Sequence, residues 1–276
     1  MSYAYENDAF SRYYDTFVSE LPCDALWIDT ISQLYREIIA RTLINNDHRP
    51  VVIELGCGTG KSLMEFDQAF SEQKIRLIGI DHSLSMLDRA KENFEKQSLH
   101  SVELFQASLT NFSDQLENQL ADCILLPAGT FHHLISDEDR HDFLKEIRRT
   151  LRSETGLFAI YLLPDQMIHS ELKAEVKKEE KKFQLVAVDN RQTIDQEWIS
   201  CQTFEFDVPP KIQLSWQLRT CSRSKMIDLF QVDHFQIVFV SIDGKTLLTY
   251  EQYCSLPVVD HSTPVVFVVR TIKSTN

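Results

Sequence analysis

Apolar and polar positions along the chain follow two periods, and the switches between them mark the elements. The run Val51-Val52-Ile53-Glu54-Leu55 is aliphatic at four of its five positions and ends in a turn signal, which predicts a buried strand of a parallel sheet. Similar runs at 74–80, 101–105, 121–126 and 157–163 predict four more strands. Between them the apolar residues recur at helical spacing: over 61–70, over 83–95 with Met86, Leu87, Ala90 and Phe94 inward, and over 135–151 through Phe143, Leu144, Ile147 and Leu151. Ahead of the first strand, Asp24 is placed to cap a helix reaching about Asn45, with Leu26, Trp27, Ile31, Leu34, Tyr35, Ile38 and Ile39 on one face, and 46–50 is the break. Strands alternating with helices at this interval predict an α/β fold with a doubly wound, mostly parallel sheet.

The pattern changes after Pro164. Residues 171–182 are a mixed-charge run that reads as a solvated helix face. Segments 183–188, 197–208 and 211–220 are enriched in β-branched and aromatic residues, with Asp189-Asn190 and Pro209-Pro210 as hairpin turns. A helix over 224–230 and strands over 234–240 and 264–269 follow. The chain therefore divides into an N-terminal helical segment (1–46), a core (47–164), an antiparallel insertion (165–222) and a closing helix and strand pair (223–276), all within one domain.

Composition narrows the function. A length of 276 residues with 43% apolar content suits one globular unit with an elaboration. No apolar run approaches the roughly 20 residues needed to span a bilayer, and the N-terminus lacks the basic and apolar regions of a signal peptide. Cys23, Cys57, Cys123, Cys201, Cys221 and Cys254 are dispersed with no CxxC pair, as expected of reduced thiols in a cytoplasmic protein without a metal site. A net charge of −13 argues against nucleic acid as partner and for a small molecule or a cationic group.

The chemistry is concentrated after the first strand. Gly56, Gly58 and Gly60 fall at alternate positions in a chain with only seven glycines, so the backbone there requires them, either for positive φ or to let a ligand lie on the main chain. The spacing is neither the dinucleotide G-x-G-x-x-G nor a full P-loop, where Leu55 stands in place of the first glycine. Glu54, two residues ahead of Gly56, would repel phosphate and attract a cation.

Glu54-Leu-Gly-Cys-Gly-Thr-Gly60 resembles motif I of the class I S-adenosylmethionine (SAM)-dependent methyltransferases, and Asp81-His-Ser-Leu-Ser-Met-Leu87 resembles the strand-to-helix turn of that family. Residues 121–126 are similar to its fourth strand and 127–134 to the active-site loop after it. The resemblance covers about 50–163 and implies a Rossmann-like seven-stranded sheet with an antiparallel β insertion, SAM as cofactor, and a small-molecule acceptor methylated on N or O. It implies a cofactor site made by Tyr14, Glu54, Gly56, Cys57, Gly58, Gly60, Asp81, His82, Met86, Ala107, Ser108, Leu109, Pro127 and Ala128. Asp81 would hold the ribose hydroxyls or, alternatively, cap the helix entered at Ser83. Tyr14 belongs to a Tyr-Asp pair that reaches the cofactor from an N-terminal helix; the other reading of residues 1–20 is an aromatic face packed on the core. Relatives carry an acid for the adenine amino group where this chain has Ser108. His132 and His133, in the loop after the fourth strand, are candidates to deprotonate the acceptor or else to cap the next helix. The insertion would cover the acceptor or mediate a homodimer. A SAM-binding protein without methyl transfer shares the same motifs.

Overall fold

A computed structural model describes residues 4–21, 26–27, 30–44, 48–99, 101–169, 183–193, 195–207, 211–257, 259 and 261–272. The Asp24 cap, part of the 46–50 break, the Pro209-Pro210 turn and the charged run 171–182 lie outside them.

The elements in chain order are α1 (Asp8–Ser19), α2 (Ile31–Thr42), β1 (Val51–Leu55), α3 (Lys61–Ala69), β2 (Arg76–Asp81), α4 (Leu84–Lys96), β3 (Val102–Gln106), β4 (Cys123–Leu126), α5 (Asp137–Thr150), β5 (Leu157–Leu162), α6 (Asp165–His169), β6 (Phe183–Gln192), β7 (Trp198–Phe206), β8 (Ile212–Arg219), α7 (Arg223–Val232), β9 (Phe235–Ser241), β10 (Leu248–Thr249), α8 (Tyr250–Cys254) and β11 (Val265–Thr271). The main sheet has the order β10-β9-β11-β5-β4-β1-β2-β3. β1 lies at its centre, parallel to β2 and β4, with Ile53 opposite Ile78 and Ile124. β11 enters antiparallel between β5 and β9. The sheet is the expected seven strands plus the two-residue edge strand β10, which is too short to leave a periodic signal.

Alternation along β1 builds both layers. Val51, Ile53 and Leu55 join the core beneath α5 and α7, whereas Val52 joins the one beneath α2, α3 and α4. Burying a side chain of this size contributes about 1.5–3 kcal/mol, so a one-residue slip of β1 would be strongly opposed.

Helix α2 begins later than Asp24. Trp27 takes a left-handed backbone conformation (φ 56°), and the Thr30 and Ile31 N–H groups turn back to its carbonyl. The face carrying Leu34, Tyr35, Ile38 and Ile39 is buried as its spacing requires.

The insertion is a separate three-stranded antiparallel sheet, β6-β7-β8. Asp189 and Asn190 do not turn the chain. They continue β6 opposite Cys201 and Ser200, and the connection instead closes between Thr193 and Glu197, whose main chains are bonded at 2.8 Å. A fully paired neighbouring strand overrides local turn preference. Helix α1 packs its aromatic face on this sheet, with Phe10 against Phe206 (5.0 Å between ring centres) and Phe17 against Phe183 (4.7 Å). The N-terminus thereby joins the insertion to the start of α4 beside the main sheet.

Candidate active site

β1 delivers the glycine loop to the carboxyl edge of the sheet. Gly56, Gly58 and Gly60 all have positive φ, the region L-residues avoid. They serve different ends. A Cβ on Gly56 would stand 2.7 Å from Thr130, and one on Gly60 2.6 Å from Phe94, so these two are needed for close packing. A Cβ on Gly58 would meet only Tyr14, at 3.7 Å. Gly58 is the position that opens the backbone to the cavity.

Asp81, at the end of β2, closes the loop from the other side. Its Oδ2 accepts from the Gly58 N–H at 2.8 Å and its Oδ1 from the Ser83 N–H at 2.9 Å. Burial raises its pKa, and these two N–H groups act in the opposite direction. Each carboxylate oxygen keeps a second lone pair. Both readings of Asp81, helix entry and ligand acceptor, are thus compatible in one side chain, while Ser83 itself caps α4 through Met86 N–H.

Glu54 lies behind the loop on the α2 and α3 side and is 2% exposed. Burial lifts its pKa to about 8, against the Ser62 hydroxyl that bonds it, with Asp81 and Glu65 adding repulsion. Its Oε2 has no partner among the described residues. A buried acceptor of this kind costs about 1–3 kcal/mol unless something completes it.

The cavity in front of the loop measures about 1050 Å³, beyond the roughly 300–1,000 Å³ usual for one small ligand. Tyr14, Gly56, Gly58, Asp81, His82, Met86, Ala107, Ser108, Leu109 and Ala128 line one part of it. His133, Asp139, Cys201, Gln213, Ser215, Trp216 and Gln217 line the rest. Glu54, Cys57, Gly60 and Pro127, expected at the cofactor, are not on its wall. Cys57 and Pro127 are buried behind it, and Gly60 is taken up by Phe94. Ser108, in place of an acid, faces the cavity and bonds Thr110 at 3.1 Å.

The two histidines separate sharply. His132 is fully buried: Nδ1 donates to the Arg219 carbonyl at 2.8 Å and Nε2 accepts from the Leu163 N–H at 3.0 Å. Both ring nitrogens are occupied and burial holds its pKa near 3, so it is a neutral tie between β5 and the insertion. It does not line the cavity. His133 faces the cavity beside Gln217, with Nε2 3.4 Å from the Tyr5 hydroxyl. Burial lowers its pKa to about 4, so at pH 7 it carries a lone pair and not a charge.

Tyr5 went unassigned in the sequence, where it was one aromatic among several. It stands edge-on to His133 (5.4 Å) and Tyr14 (6.2 Å) and stacks on Trp216 (6.1 Å), forming an aromatic wall. The Ser83 hydroxyl holds its carbonyl at 2.6 Å, and Asp15 accepts from Thr59 at 2.5 Å. The segment is thus tied to both α4 and the glycine loop. The β-branched and aromatic enrichment of 211–220 was readable as a strand, but nothing in the sequence told that it meets the cavity.

Residues 52–154 match the protein family described as methyltransferase domain. These residues carry a methyltransferase domain. A carboxy-S-adenosyl-L-methionine synthase of Trichodesmium erythraeum (strain IMS101) is 36% identical over 85 residues, 29% of this chain and 33% of the relative. The matched region is therefore about a third of that protein's length. Among solved structures, the CcbJ methyltransferase of Streptomyces caelestis superposes with a TM-score of 0.66 at 17% identity, covering 98% of this chain and 99% of its own. SAM-bound CalS10, an amino pentose methyltransferase of Micromonospora echinaspora, does so at 0.59 and 13%, covering 94% and 97%. At these identities the likeness speaks for the fold, insertion included. The residues around the cavity fit SAM as a cofactor. Asp81 keeps lone pairs for ribose hydroxyls, Gly58 leaves the main chain open, and Tyr5, Tyr14 and Trp216 offer ring faces suited to a sulfonium cation.

Proposed function

We propose that the protein transfers the methyl group of SAM to a nitrogen or oxygen of a small molecule held between His133 and β8. The observation that carries this reading is a single cavity running from the glycine loop past Asp81 to His133 and Gln213–Gln217, with room for two molecules. When bound, SAM supplies a methyl carbon open to in-line displacement, sulfur leaving with the bonding electron pair.

The chain's own contribution is placement and one proton transfer. Asp81 and the Gly58 main chain fix the nucleoside end, and Tyr14 covers it from α1. His133, neutral and with Nε2 turned to the cavity side, takes the proton that an amine or hydroxyl gives up as it attacks. Tyr5 occupies that nitrogen until the acceptor replaces it. The closing of the site by residues 4–6 and α1 keeps water from competing. Asp139, Gln213, Ser215 and Gln217 give the acceptor side carboxylate, amide and hydroxyl groups, which suit a polar neutral or cationic molecule. The insertion is on this reading the wall of the acceptor half. An acceptor bearing an amine, as named for CalS10, agrees with it.

Incubation with methyl-labelled SAM and a metabolite library tests the proposal. Label should pass into a small-molecule product. Tight SAM binding with no transfer across the library would instead leave a SAM-binding protein that does not methylate.

A further inference from the structure

The insertion sheet docks on the core by the outer edge of β8, and one buried carboxylate holds that edge in place. The Thr220 N–H bonds the Trp198 carbonyl, so by antiparallel alternation Arg219 and Gln217 turn their main-chain groups away from β7. An open strand edge normally pairs with another strand. Here an imidazole stands in for it: His132 donates to the Arg219 carbonyl.

Around this seam lie two buried guanidiniums. Arg140 on α5 is 0% exposed and Arg219 on β8 is 4% exposed. Arg140 donates through Nε to the Leu134 carbonyl (3.0 Å) and through Nη2 to those of Arg219 (3.2 Å) and Thr220 (3.0 Å). Arg219 donates through Nη1 to the Ile135 carbonyl at 2.9 Å. The stretch His132 to Ile135 is thus clamped on both sides of His133. Glu197, 8% exposed, lies between the two cations: Oε1 accepts from Arg140 at 2.9 Å and Oε2 from Arg219. The other carboxylate in reach, Asp137, is half-exposed on the Arg219 side only.

We infer that Glu197 is a positioning residue for the proposed methyl transfer: by holding Arg140 and Arg219 together it sets the Leu134 and Ile135 carbonyls and the β8 edge, and so keeps His133 placed with Nε2 towards the Tyr5 hydroxyl. The tautomer of a neutral imidazole follows the hydrogen bonds its ring makes, here the one between Nε2 and Tyr5. Removing one partner of a buried ion pair leaves uncompensated charge that drives the groups apart. The effect therefore reaches His133 although Glu197 does not line the cavity. The inference rests on the reading of His133 as proton acceptor.

Nitrogen-15 NMR of the histidine rings tests it without an identified acceptor. In the unmutated protein His133 should be held in the neutral Nδ1–H tautomer, which leaves Nε2 to accept from Tyr5; an Nε2–H tautomer there overturns the inference outright. In Glu197→Gln, His133 should revert to a mixture of tautomers, while affinity for S-adenosylhomocysteine, read by calorimetry, changes less than threefold. Arg219→Lys, which keeps the Glu197 charge paired but loses the second guanidinium bond, is the milder variant and should shift the mixture the same way. A single unchanged tautomer in whichever of these variants folds would show Glu197 to be purely structural. Failure of the unmutated protein to bind S-adenosylhomocysteine would count against the methyl-transfer reading and not against this one.

Discussion

The Tyr5 hydroxyl stands 3.4 Å from Nε2 of His133, across a separation of 128 residues. One comes from the extreme N-terminus and the other from the loop after β4, and together they close the boundary between the two halves of the cavity. If His133 deprotonates the acceptor, His133→Gln should lower turnover roughly 10²-fold or more with SAM affinity nearly unchanged. His132→Gln should behave differently, losing thermal stability because both of its bonds are buried. Steady-state kinetics beside thermal melts separates them, and normal turnover in His133→Gln would remove the proton role.

Asp81→Ala should weaken SAM about 10- to 150-fold, the loss of charge-assisted bonds contributing about 1.5–3 kcal/mol. It should also lower the melting temperature, because the Gly58 and Ser83 N–H groups lose their acceptor. Titration calorimetry showing lost stability with unchanged affinity would reduce Asp81 to a structural anchor.

SAM and S-adenosylhomocysteine should raise the melting temperature by several degrees at a hundredfold excess over their dissociation constants, which corresponds to about 2.7 kcal/mol. NAD and ATP should not. Equal stabilisation by NAD would argue against the cofactor.

Glu54 should make the ligand-free protein sensitive to pH. Its folded pKa, raised to about 8, lies above its unfolded value, so the folded state binds the proton more tightly. The contribution is fully present below pH ~4.5 and is lost as pH rises towards 8. Between pH 5 and 8.5 the melting temperature of the wild type should therefore fall more than that of Glu54→Gln. Parallel slopes for the two proteins would show that Glu54 titrates normally.

Gly60→Ala should destabilise the protein more than Gly58→Ala, since its Cβ would stand 2.6 Å from Phe94 whereas that of Gly58 meets only Tyr14 at 3.7 Å. Gly58→Ala should show its larger effect in SAM affinity. Thermal melts and calorimetry on both variants check the order, and the reverse order would mean the loop packs differently.

Much of this protein was determined by local pattern. The near-continuous apolar run 51–55 and the period of 3.6 after it specified the doubly wound core, because a strand apolar on both faces must be covered on both and each helix has one face to bury. Gly56, Gly58, Gly60 and Asp81 marked the loop at one end of the cavity for the same reason: backbone geometry and an acid at a strand terminus are properties of short sequence. The far end of the cavity was decided only by tertiary structure. His132 and His133 are neighbours of identical chemistry, and the sequence held nothing to choose between them. One is tied on both nitrogens by Leu163 and Arg219, and the other opens to the cavity, because the insertion places β8 against that loop. Asp189-Asn190 reads as a turn by composition, yet its pairing with Ser200 and Cys201 decides otherwise. Tyr5 meets His133, and Glu197 meets Arg140 and Arg219, only through contacts between distant segments, whose energies depend on packing and desolvation that no local pattern encodes.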